Sequence, residues 1–392
     1  MADRWSSRSV ALVVGLAASV LFLRASTQGS ACTAVFMAGP GKVLVGNNED
    51  ATTPLTKVWV VPGEGGMYSR LYVGYDDLAP QGGINEKGLW FDGFSVPPKT
   101  VPLAPGLETY GGNMHDKLMA ECATVEEALT LLGRYSRSFL ADHMLLVGDR
   151  TGASAIVDDG AVLRRQGAYQ IITNFRQSEH PDGRTVCERY RIADTMLSAD
   201  AEVTVDHMRR ILAAVHQEVP VPTVYSYICD LQNGTLYLYH FHNYENAVIL
   251  DVKQALAKGK HAYNLPELFP TTFAAEDFAS HSAAALEARK ASRRYAQFDP
   301  KTYPEFAGRY VVSSPTSMAG VTVVVTAEKD RLRAELGDGI ARELIPESAI
   351  AFSVWEPDNK GVSISFLRDD AGRVTGFVVD IGQERVSATR AE

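Results

Sequence analysis

The chain has 392 residues, of which 46% are hydrophobic and 22% are charged, so it is long and apolar enough for more than one folded core. The formal net charge is −9 at pH 7, and no stretch is rich in lysine and arginine. That balance argues against nucleic acid as a partner, because binding to a phosphate backbone needs clustered positive charge.

Residues 1–31 have the pattern of a secretory signal peptide. Arg4 and Arg8 precede an uncharged apolar run over Val10–Leu23, and a small polar stretch ends at Gly29-Ser30-Ala31. The apolar run is shorter than the about 20 residues that cross a bilayer, which favours cleavage after Ala31 over a permanent anchor. We therefore expect an exported protein, secreted or periplasmic, with no stable membrane span after cleavage.

After Ala31 the pattern alternates between strands and helical blocks. Single strands are predicted at Val58–Val61, Gly88–Phe94 and Tyr169–Thr173, and helices at about 112–135, 186–197 and 205–216, where Thr124 and Glu127 indicate a capping box. Turn residues separate three predicted hairpins: Cys32–Met37 with Val43–Asn47, His143–Gly148 with Ala153–Asp158, and Val224–Leu231 with Thr235–His240. This order indicates an α+β domain in which helices cover a layered antiparallel sheet.

The pattern changes near the C-terminus. A junction from about Lys253 to Pro300 contains an alanine-rich charged helix near Ala274–Ala296, and short alternating strands from Tyr303 onward predict a small all-β module. We divide the chain into a signal peptide (1–31), a main domain (32–270), a linker helix (271–302) and the β module (303–392). The module contains no catalytic set, so a lid, a substrate-binding role and a dimerising role are equally open.

Cys32 is the residue that signal cleavage would expose. A free α-amine has a pKa of about 7.7–8.0, so it accepts the thiol proton near neutral pH, and one residue then supplies both nucleophile and base. Two other interpretations stay open. In one, Cys32 is lipidated, although Gly29 stands where lipidation sites usually have a large aliphatic residue; in the other, it is an ordinary strand cysteine.

Four motifs follow Cys32-Thr33 in order: Gly46-Asn47-Asn48-Glu49-Asp50, Gly83-Ile84-Asn85-Glu86-Lys87-Gly88-Leu89, Ile172-Thr173-Asn174 and Glu188-Arg189-Tyr190. From Cys32 to about Val252, this order resembles the linear amide C–N hydrolases: choloylglycine hydrolases, penicillin V acylases and acyl-coenzyme A:6-aminopenicillanic-acid acyltransferases. The resemblance implies an N-terminal-nucleophile hydrolase with a four-layer αββα sandwich and no cofactor. The C-terminal module resembles the small lipocalin-like barrels appended to some exported serine hydrolases.

The resemblance implies four catalytic residues. Cys32 corresponds to the nucleophile, Asp50 to the aspartate that holds the α-amine, Asn174 to the asparagine that stabilises the oxyanion, and Arg189 to an arginine near the thiol. Each of the last three also has a simpler interpretation. Asp50 would end a strand in a polar turn, Asn174 would be a turn residue after a strand, and Arg189 would be a cation on a helix surface.

Three departures from the bile-salt enzymes bear on the substrate. Asn47 stands where they have an arginine, Ser95 stands where an asparagine is typical, and only 15 positions separate Asn174 from Arg189, where those enzymes insert a long loop. These departures argue against a bile salt and favour the acyltransferase-like branch. The candidate substrate-binding residues are Asn47, Ser95, Trp90 and Phe94, although aromatic residues in strands belong more often to a core.

We expect the protein to cleave a linear amide bond of a small N-acyl substrate through an acyl-enzyme, without a metal. An acyltransferase and a lipid-anchored, non-catalytic binding protein are the alternatives, and a homo-oligomer is compatible with each. The other cysteines, Cys122, Cys187 and Cys229, are expected as small core residues rather than as a disulfide. His240 and His242, on one face of a predicted strand, lack a neighbouring ligand and form a weak metal motif.

Overall fold

The structure is a computed structural model that describes residues 32–102, 104–108, 110, 113–219, 221–293, 298–314, 320–335, 341–354, 363–381 and 384–391. The predicted signal peptide lies outside the described residues. Within these ranges, no helix combines the length and the apolar character that crossing a membrane requires.

The strands form two antiparallel sheets and a barrel. Their bounds are β1 (Thr33–Gly39), β2 (Lys42–Asp50), β3 (Thr56–Val61), β4 (Arg70–Tyr75), β5 (Pro80–Asn85), β6 (Leu89–Ser95), β7 (His143–Asp149), β8 (Ser154–Val157), β9 (Val162–Arg164), β10 (Tyr169–Ile172), β11 (Thr223–Asp230), β12 (Thr235–His240), β13 (Asn243–Asp251), β14 (His261–Asn264), β15 (Gly308–Ser314), β16 (Thr322–Glu328), β17 (Arg331–Glu335), β18 (Ala341–Pro346), β19 (Ala351–Val354), β20 (Ser363–Arg368), β21 (Val374–Ile381) and β22 (Glu384–Arg390). The six-stranded sheet has the order β10-β1-β2-β11-β12-β13, the eight-stranded sheet has the order β14-β3-β4-β5-β6-β7-β8-β9, and β15–β22 close the barrel.

The helices lie between the strands of the first two sheets and at the junction with the barrel. Their bounds are α1 (Met114–Glu121), α2 (Val125–Leu132), α3 (Glu188–Ala199), α4 (Val205–Val215), α5 (Val252–Ala257), α6 (Phe273–Arg293) and α7 (Tyr303–Phe306). The predicted capping box begins α2: the Thr124 hydroxyl accepts from the Glu127 backbone N–H at 3.2 Å. This bond satisfies a donor that a helix start leaves unpaired, and the Glu127 carboxylate accepts from the N–H of Ala123, the residue before the N-cap, at 2.7 Å.

The two sheets share one apolar core, and helices cover their outer faces. We call strands β1–β14 with α1–α5 the two-sheet domain. Side chains from both sheets, such as Phe36 and Leu146, meet between them, while α3 and α4 cover the six-stranded sheet and α1 and α2 cover the other. Gly46 lets α4 lie close to β2, since a Cβ there would be 2.7 Å from the Met208 sulfur. This arrangement confirms the mixed helix-and-sheet class.

All three predicted hairpins are confirmed, as β1–β2, β7–β8 and β11–β12. Their tight turns use glycine at positive φ: Gly41 at 68°, Gly152 at 91° and Gly234 at 65°. Within the two sheets, strands β4, β5, β9, β13 and β14 were not predicted. The four cysteines are free thiols; Cys122 and Cys229 are buried as expected, whereas the expectation of a core position is wrong for Cys187, which is only half-buried at the start of α3.

The C-terminal module is a closed eight-stranded barrel, as its strand pattern indicated. Its interior is filled by aromatic rings, including Phe306, Tyr310, Phe352, Phe366 and Phe377, all at most 1% exposed. Neighbouring rings pack with centroids 4.9–6.0 Å apart, as between Phe306 and Phe366 and between Phe366 and Phe377. In the described part of the barrel, the interior is therefore a packed core.

Candidate active site

Cys32 precedes β1 and lies in the core between the two sheets. It is 1% exposed and belongs to the same apolar cluster as Ala34 and Phe36, which follows from the two-residue period of a strand. The backbone N–H of Asp50, at the end of β2, donates a hydrogen bond to the Cys32 sulfur. The hairpin that links β1 and β2 thus brings the start of one strand and the end of the other together.

The environment of Cys32 disfavours the thiolate in the uncleaved chain. Burial is the main cause that holds the pKa of the Cys32 thiol well above its usual range, and the negative charges of Glu49 and Asp50 add to it. The Asp50 N–H acts in the opposite direction but does not offset the burial. A thiol in this setting needs a base before it becomes a nucleophile.

A β-bulge in β11 equips Asp50 with a hydroxyl partner. Glu49 lies opposite Tyr225 and Asp50 lies opposite Thr223, so Val224 is the extra residue. With regular pairing, Val224 would lie opposite Asp50 and offer no side-chain donor. Because of the bulge, the Thr223 hydroxyl donates to Asp50 Oδ1.

The Asp50 carboxyl is fully buried and held by several donors. Besides Thr223, the Gln217 amide donates to its Oδ2 at 2.7 Å, and an Arg189 guanidinium nitrogen lies 3.5 Å from the same oxygen. Burial nevertheless raises the pKa of Asp50 to about 8, against the hydrogen bond from Thr223 and the charge of Arg189. A free α-ammonium group at Cys32 would favour the carboxylate and lower this pKa.

Arg189, the second residue of α3, connects the other predicted catalytic residues. Its Nη1 donates to the Cys32 carbonyl at 2.8 Å and to the Thr33 hydroxyl at 2.6 Å. Its Nη2 donates to Asn174 Oδ1 at 2.9 Å. The side chain is only 14% exposed, so Arg189 is not the surface cation of the simpler interpretation.

Arg189 also fixes the orientation of the Asn174 amide. A guanidinium only donates hydrogen bonds, so the amide atom that faces it must be the oxygen. The Asn174 nitrogen then points away from Arg189 and donates to the Ser95 carbonyl at 2.9 Å. The structure therefore brings Cys32, Asp50, Asn174 and Arg189 together and orients the amide nitrogen as a donor.

A buried carboxyl beside Cys32 was missed by the sequence analysis. Glu49 is 1% exposed, and it shares the inter-sheet face of β2 with Val45 and Asn47. The Tyr75 hydroxyl donates to Glu49 Oε1 at 2.8 Å, and the Asn47 amide donates to Oε2 at 3.2 Å. The alternation of Val43, Val45, Asn47 and Glu49 along one strand face is the sequence signal that places Glu49 in the core.

A second missed carboxyl lies across the core on β6. Asp92 is completely buried and accepts a hydrogen bond from the Tyr227 hydroxyl. The Tyr227 oxygen in turn accepts a hydrogen bond from Trp90 Nε1 at 3.1 Å. Burial raises the pKa of Asp92, and the charge of Glu49 raises it further. Gly82 leaves room for this pair, because a Cβ there would lie 2.3 Å from Asp92 Oδ2.

The four predicted substrate-binding residues have different surroundings. Trp90 and Phe94 are at most 1% exposed and belong to the inter-sheet core that also contains Cys32, in keeping with the core interpretation of strand aromatics. Asn47 is also buried, and Ser95 contributes its backbone carbonyl to Asn174. Substrate contact by these residues stays a prediction.

A cavity of about 690 Å³ lies on the other side of the β11 bulge. Its walls include Leu55, Val224, Phe241, Phe269 and Phe278, the last of which belongs to α6. None of Cys32, Asp50, Asn174 and Arg189 is among its lining residues. The cavity is therefore a neighbour of the site through Val224 rather than a part of it.

Comparison with known proteins finds likeness in structure alone. No protein-family model matches the chain, and neither does any curated protein. A variant of the conjugated bile acid hydrolase from Clostridium perfringens matches with 16% identity and a TM-score of 0.50, over 62% of this chain and 99% of that one.

Two further solved structures match with TM-scores of 0.45. One is another variant of the same Clostridium perfringens enzyme, with 17% identity over 61% of this chain and 97% of that one. The other is the penicillin V acylase from Agrobacterium tumefaciens, with 16% identity over 59% and 90%. The first match shows that the part of the chain it covers has the fold of a conjugated bile acid hydrolase, and it confirms the predicted resemblance at the level of fold.

Proposed function

We propose that this protein is an exported N-terminal-nucleophile hydrolase that cleaves a linear, non-peptide amide bond of an N-acyl substrate, with Cys32 as the nucleophile. The observation that carries the proposal is the set of hydrogen bonds from Arg189 to the Cys32 carbonyl and to Asn174, beside Asp50. Four residues chosen from separate motifs meet at one point, which a chance resemblance would not require.

Signal cleavage is the activating step in this proposal. While Cys32 is joined to Ala31, its nitrogen is an amide and the buried thiol keeps its proton. Cleavage turns that nitrogen into an amine, and the nearby Asp50 carboxylate orients it. The amine then supplies the base that the environment of Cys32 otherwise lacks.

The reaction then follows from the positions of these groups. The amine takes the thiol proton, and the sulfur attacks the carbonyl carbon of the substrate amide. Asn174 Nδ2, oriented through Arg189, donates to the oxyanion. The ammonium group protonates the leaving amine as the C–N bond breaks, and water hydrolyses the resulting thioester.

The family resemblance supports the assignment of the outer architecture and the substrate class. We interpret the helices on both outer faces as the outer layers of a four-layer αββα sandwich. The solved structures of similar fold are named for a conjugated bile acid hydrolase and a penicillin V acylase. Asn47, Ser95 and the short distance in sequence from Asn174 to Arg189 favour a smaller N-acyl amide over a bile salt.

The test is acyl-enzyme formation with a panel of N-acyl amides, followed by intact mass. The protein cleaved after Ala31 should gain the mass of one acyl group, and Cys32→Ala should gain none and show no turnover. Cys187→Ala is the matched control, because Cys187 is a half-buried free thiol whose side chain makes no capping hydrogen bond at the start of α3, and this variant should be acylated normally. Turnover by Cys32→Ala at the wild-type rate would refute the nucleophile.

A further inference from the structure

The turn between β12 and β13 has an unusual backbone. Phe241 and His242 both have positive φ, 43° and 64°, in a two-residue connection between His240 and Asn243, which pair across it. Such turns favour asparagine and glycine, because a side chain with a Cβ is strained in the left-handed region. Backbone strain of this kind persists only where the surrounding structure holds the residue in place, and it is found most often at functional sites.

The strained turn holds the His242 ring in a defined position. One ring nitrogen makes hydrogen bonds with the backbone of Gln217 and Thr223. The other, Nε2, is buried and has no hydrogen-bond partner in the described part of the chain. The ring packs against His216, with the two centroids 4.7 Å apart. The sequence pattern paired His242 with His240, but the structure pairs it with His216.

His216, which follows α4, presents the same nitrogen. Its Nδ1–H donates to the Ala213 carbonyl at 2.6 Å, which leaves the Nε2 lone pair available for a ligand. That Nε2 lies 3.5 Å from Glu218 Oε1. Backbone carbonyls that fix one ring nitrogen and leave the other as an acceptor are the usual arrangement around histidines that bind metals.

We propose that His216, Glu218 and His242 form a binding site for a divalent transition-metal ion of the zinc class. Their ligand atoms all lie within 4.8 Å of one another. Zinc bound at about 2.0–2.2 Å to each needs a slightly closer set, and the Glu218 side chain, 74% exposed, is free to move inward. Two imidazoles and one carboxylate occupy three coordination positions of the ion, and a water molecule occupies the fourth.

The position of the site suggests what the ion does. Gln217 lies between two of the ligands and donates to Asp50 Oδ2 at 2.7 Å, while its backbone pairs with Thr223 in both directions. A metal ion held by the residues on both sides of Gln217 and by the β12–β13 turn would fix this segment. In this role the ion acts by holding the segment beside Asp50 in place, and the existence of the site does not rest on the proposed hydrolase activity.

The test uses the full exported chain, stripped with a chelator and titrated with Zn²⁺. We expect one tightly bound Zn²⁺ per chain and a rise in Tm, because an ion that binds only the folded state stabilises it. Co²⁺ should give the visible absorption of a four-coordinate site. His242→Asn keeps a residue that tolerates positive φ, so it should fold and lose all three signals.

His240→Asn is the matched control, since His240 is two residues away and stacks on Phe269 instead. This variant should bind Zn²⁺ as the wild type does. A second ligand variant, Glu218→Gln, should weaken Zn²⁺ binding at least 10-fold while leaving the metal-free Tm unchanged. Equal Zn²⁺ binding by His242→Asn and the wild type, or no bound Zn²⁺ in the wild type, would overturn the proposal.

Discussion

The core between the two sheets and the core of the barrel are built by different rules. Among the described residues, the barrel buries a single polar side chain, Ser353, within an aromatic interior. The inter-sheet core and its margin bury Glu49, Asp50 and Asp92. Both regions fold from strands of similar length, so the difference does not come from secondary structure.

The two-sheet domain, unlike the barrel, contains buried groups that lower its stability. Buried polar atoms without partners are costly, and all nine found among the described residues lie in the two-sheet domain, Asn47 Oδ1, Asp92 Oδ1 and the Tyr225 hydroxyl among them. The barrel bears no comparable cost within its described residues. A protein that only had to fold would not need such groups, so they agree with the proposal that the two-sheet domain contains the active site.

The largest expected effect is on how the free energy of unfolding of the two-sheet domain depends on pH. The pKa of Asp50 is about 8 in the folded, uncleaved chain and about 3.9 when unfolded. Because the folded state favours the protonated Asp50 carboxyl, this group stabilises the fold fully below about pH 4, and the stabilisation is lost as pH rises through about 8. Each pKa unit is worth about 1.4 kcal/mol, so unfolding free energy should fall by several kcal/mol over this window.

Asp50→Asn should remove the share of the fall that comes from Asp50, while Asp92, whose pKa is also raised by burial, keeps its own share. The measurement is urea denaturation of the uncleaved chain at several pH values, with peptides of β2 and β20 followed separately by mass spectrometry. The β20 peptide should show little change in either protein, because the barrel lacks a buried carboxyl among its described residues. A β2 profile that is the same in Asp50→Asn and wild type would contradict the raised pKa.

In the barrel the expected effect is on stability alone. Phe366→Ala should cost about 3–5 kcal/mol of unfolding free energy, because it leaves a cavity among packed rings. The β20 peptide should unfold at lower urea, and the β2 peptide should not. Loss of acyl-enzyme formation at a concentration of urea where the two-sheet domain stays folded would show that the barrel takes part in the chemistry.

Removal of the amide donor should affect the reaction and not the fold. Asn174→Ala is expected to lower kcat about 10²–10³-fold, as loss of one oxyanion donor does, with a small change in Tm. Asn246→Ala changes an exposed asparagine on β13 and serves as the control. An unchanged kcat in Asn174→Ala would contradict the assignment of Asn174 as the donor to the oxyanion.

The smallest effect is expected at the bulge. Thr223→Val keeps the shape but removes the donor to Asp50 Oδ1, so the pKa of Asp50 should rise further. The acidic limb of the pH–rate profile should move to higher pH, and the rate at neutral pH should drop about 10-fold, the order expected for a hydrogen bond to a charged group. Thr223→Ser retains the hydroxyl, and a shift of equal size in that variant would exclude the hydrogen bond as the cause.

Local patterns predicted much of the fold because tight turns and caps depend on a few neighbouring residues. The hairpin around Gly234 and the helix that begins after Thr124 are examples. Strands such as β13, whose side chains alternate only weakly between buried and exposed, depend on a neighbouring strand and were missed. Barrel closure likewise depends on the pairing of β15 with β22, which lie at opposite ends of the module.

The site was predictable only in part, for the same reason. Cys32, Asp50, Asn174 and Arg189 stand in motifs that can be compared with a family. The Thr223 hydroxyl reaches Asp50 only because of a bulge, and no residue near Thr223 signals that bulge. His242 was noticed, but its partner His216 is 26 positions away and meets it only in the folded chain.

The central claim is that cleavage after Ala31 makes Cys32 the N-terminal nucleophile, and the most direct measurement is the N-terminal sequence and intact mass of the exported protein. We predict an exported chain that begins with unmodified Cys32-Thr33-Ala34-Val35. An uncut chain would contradict it, and so would a Cys32 that carries a fatty acyl or glyceride group, which would favour a lipid-anchored binding protein.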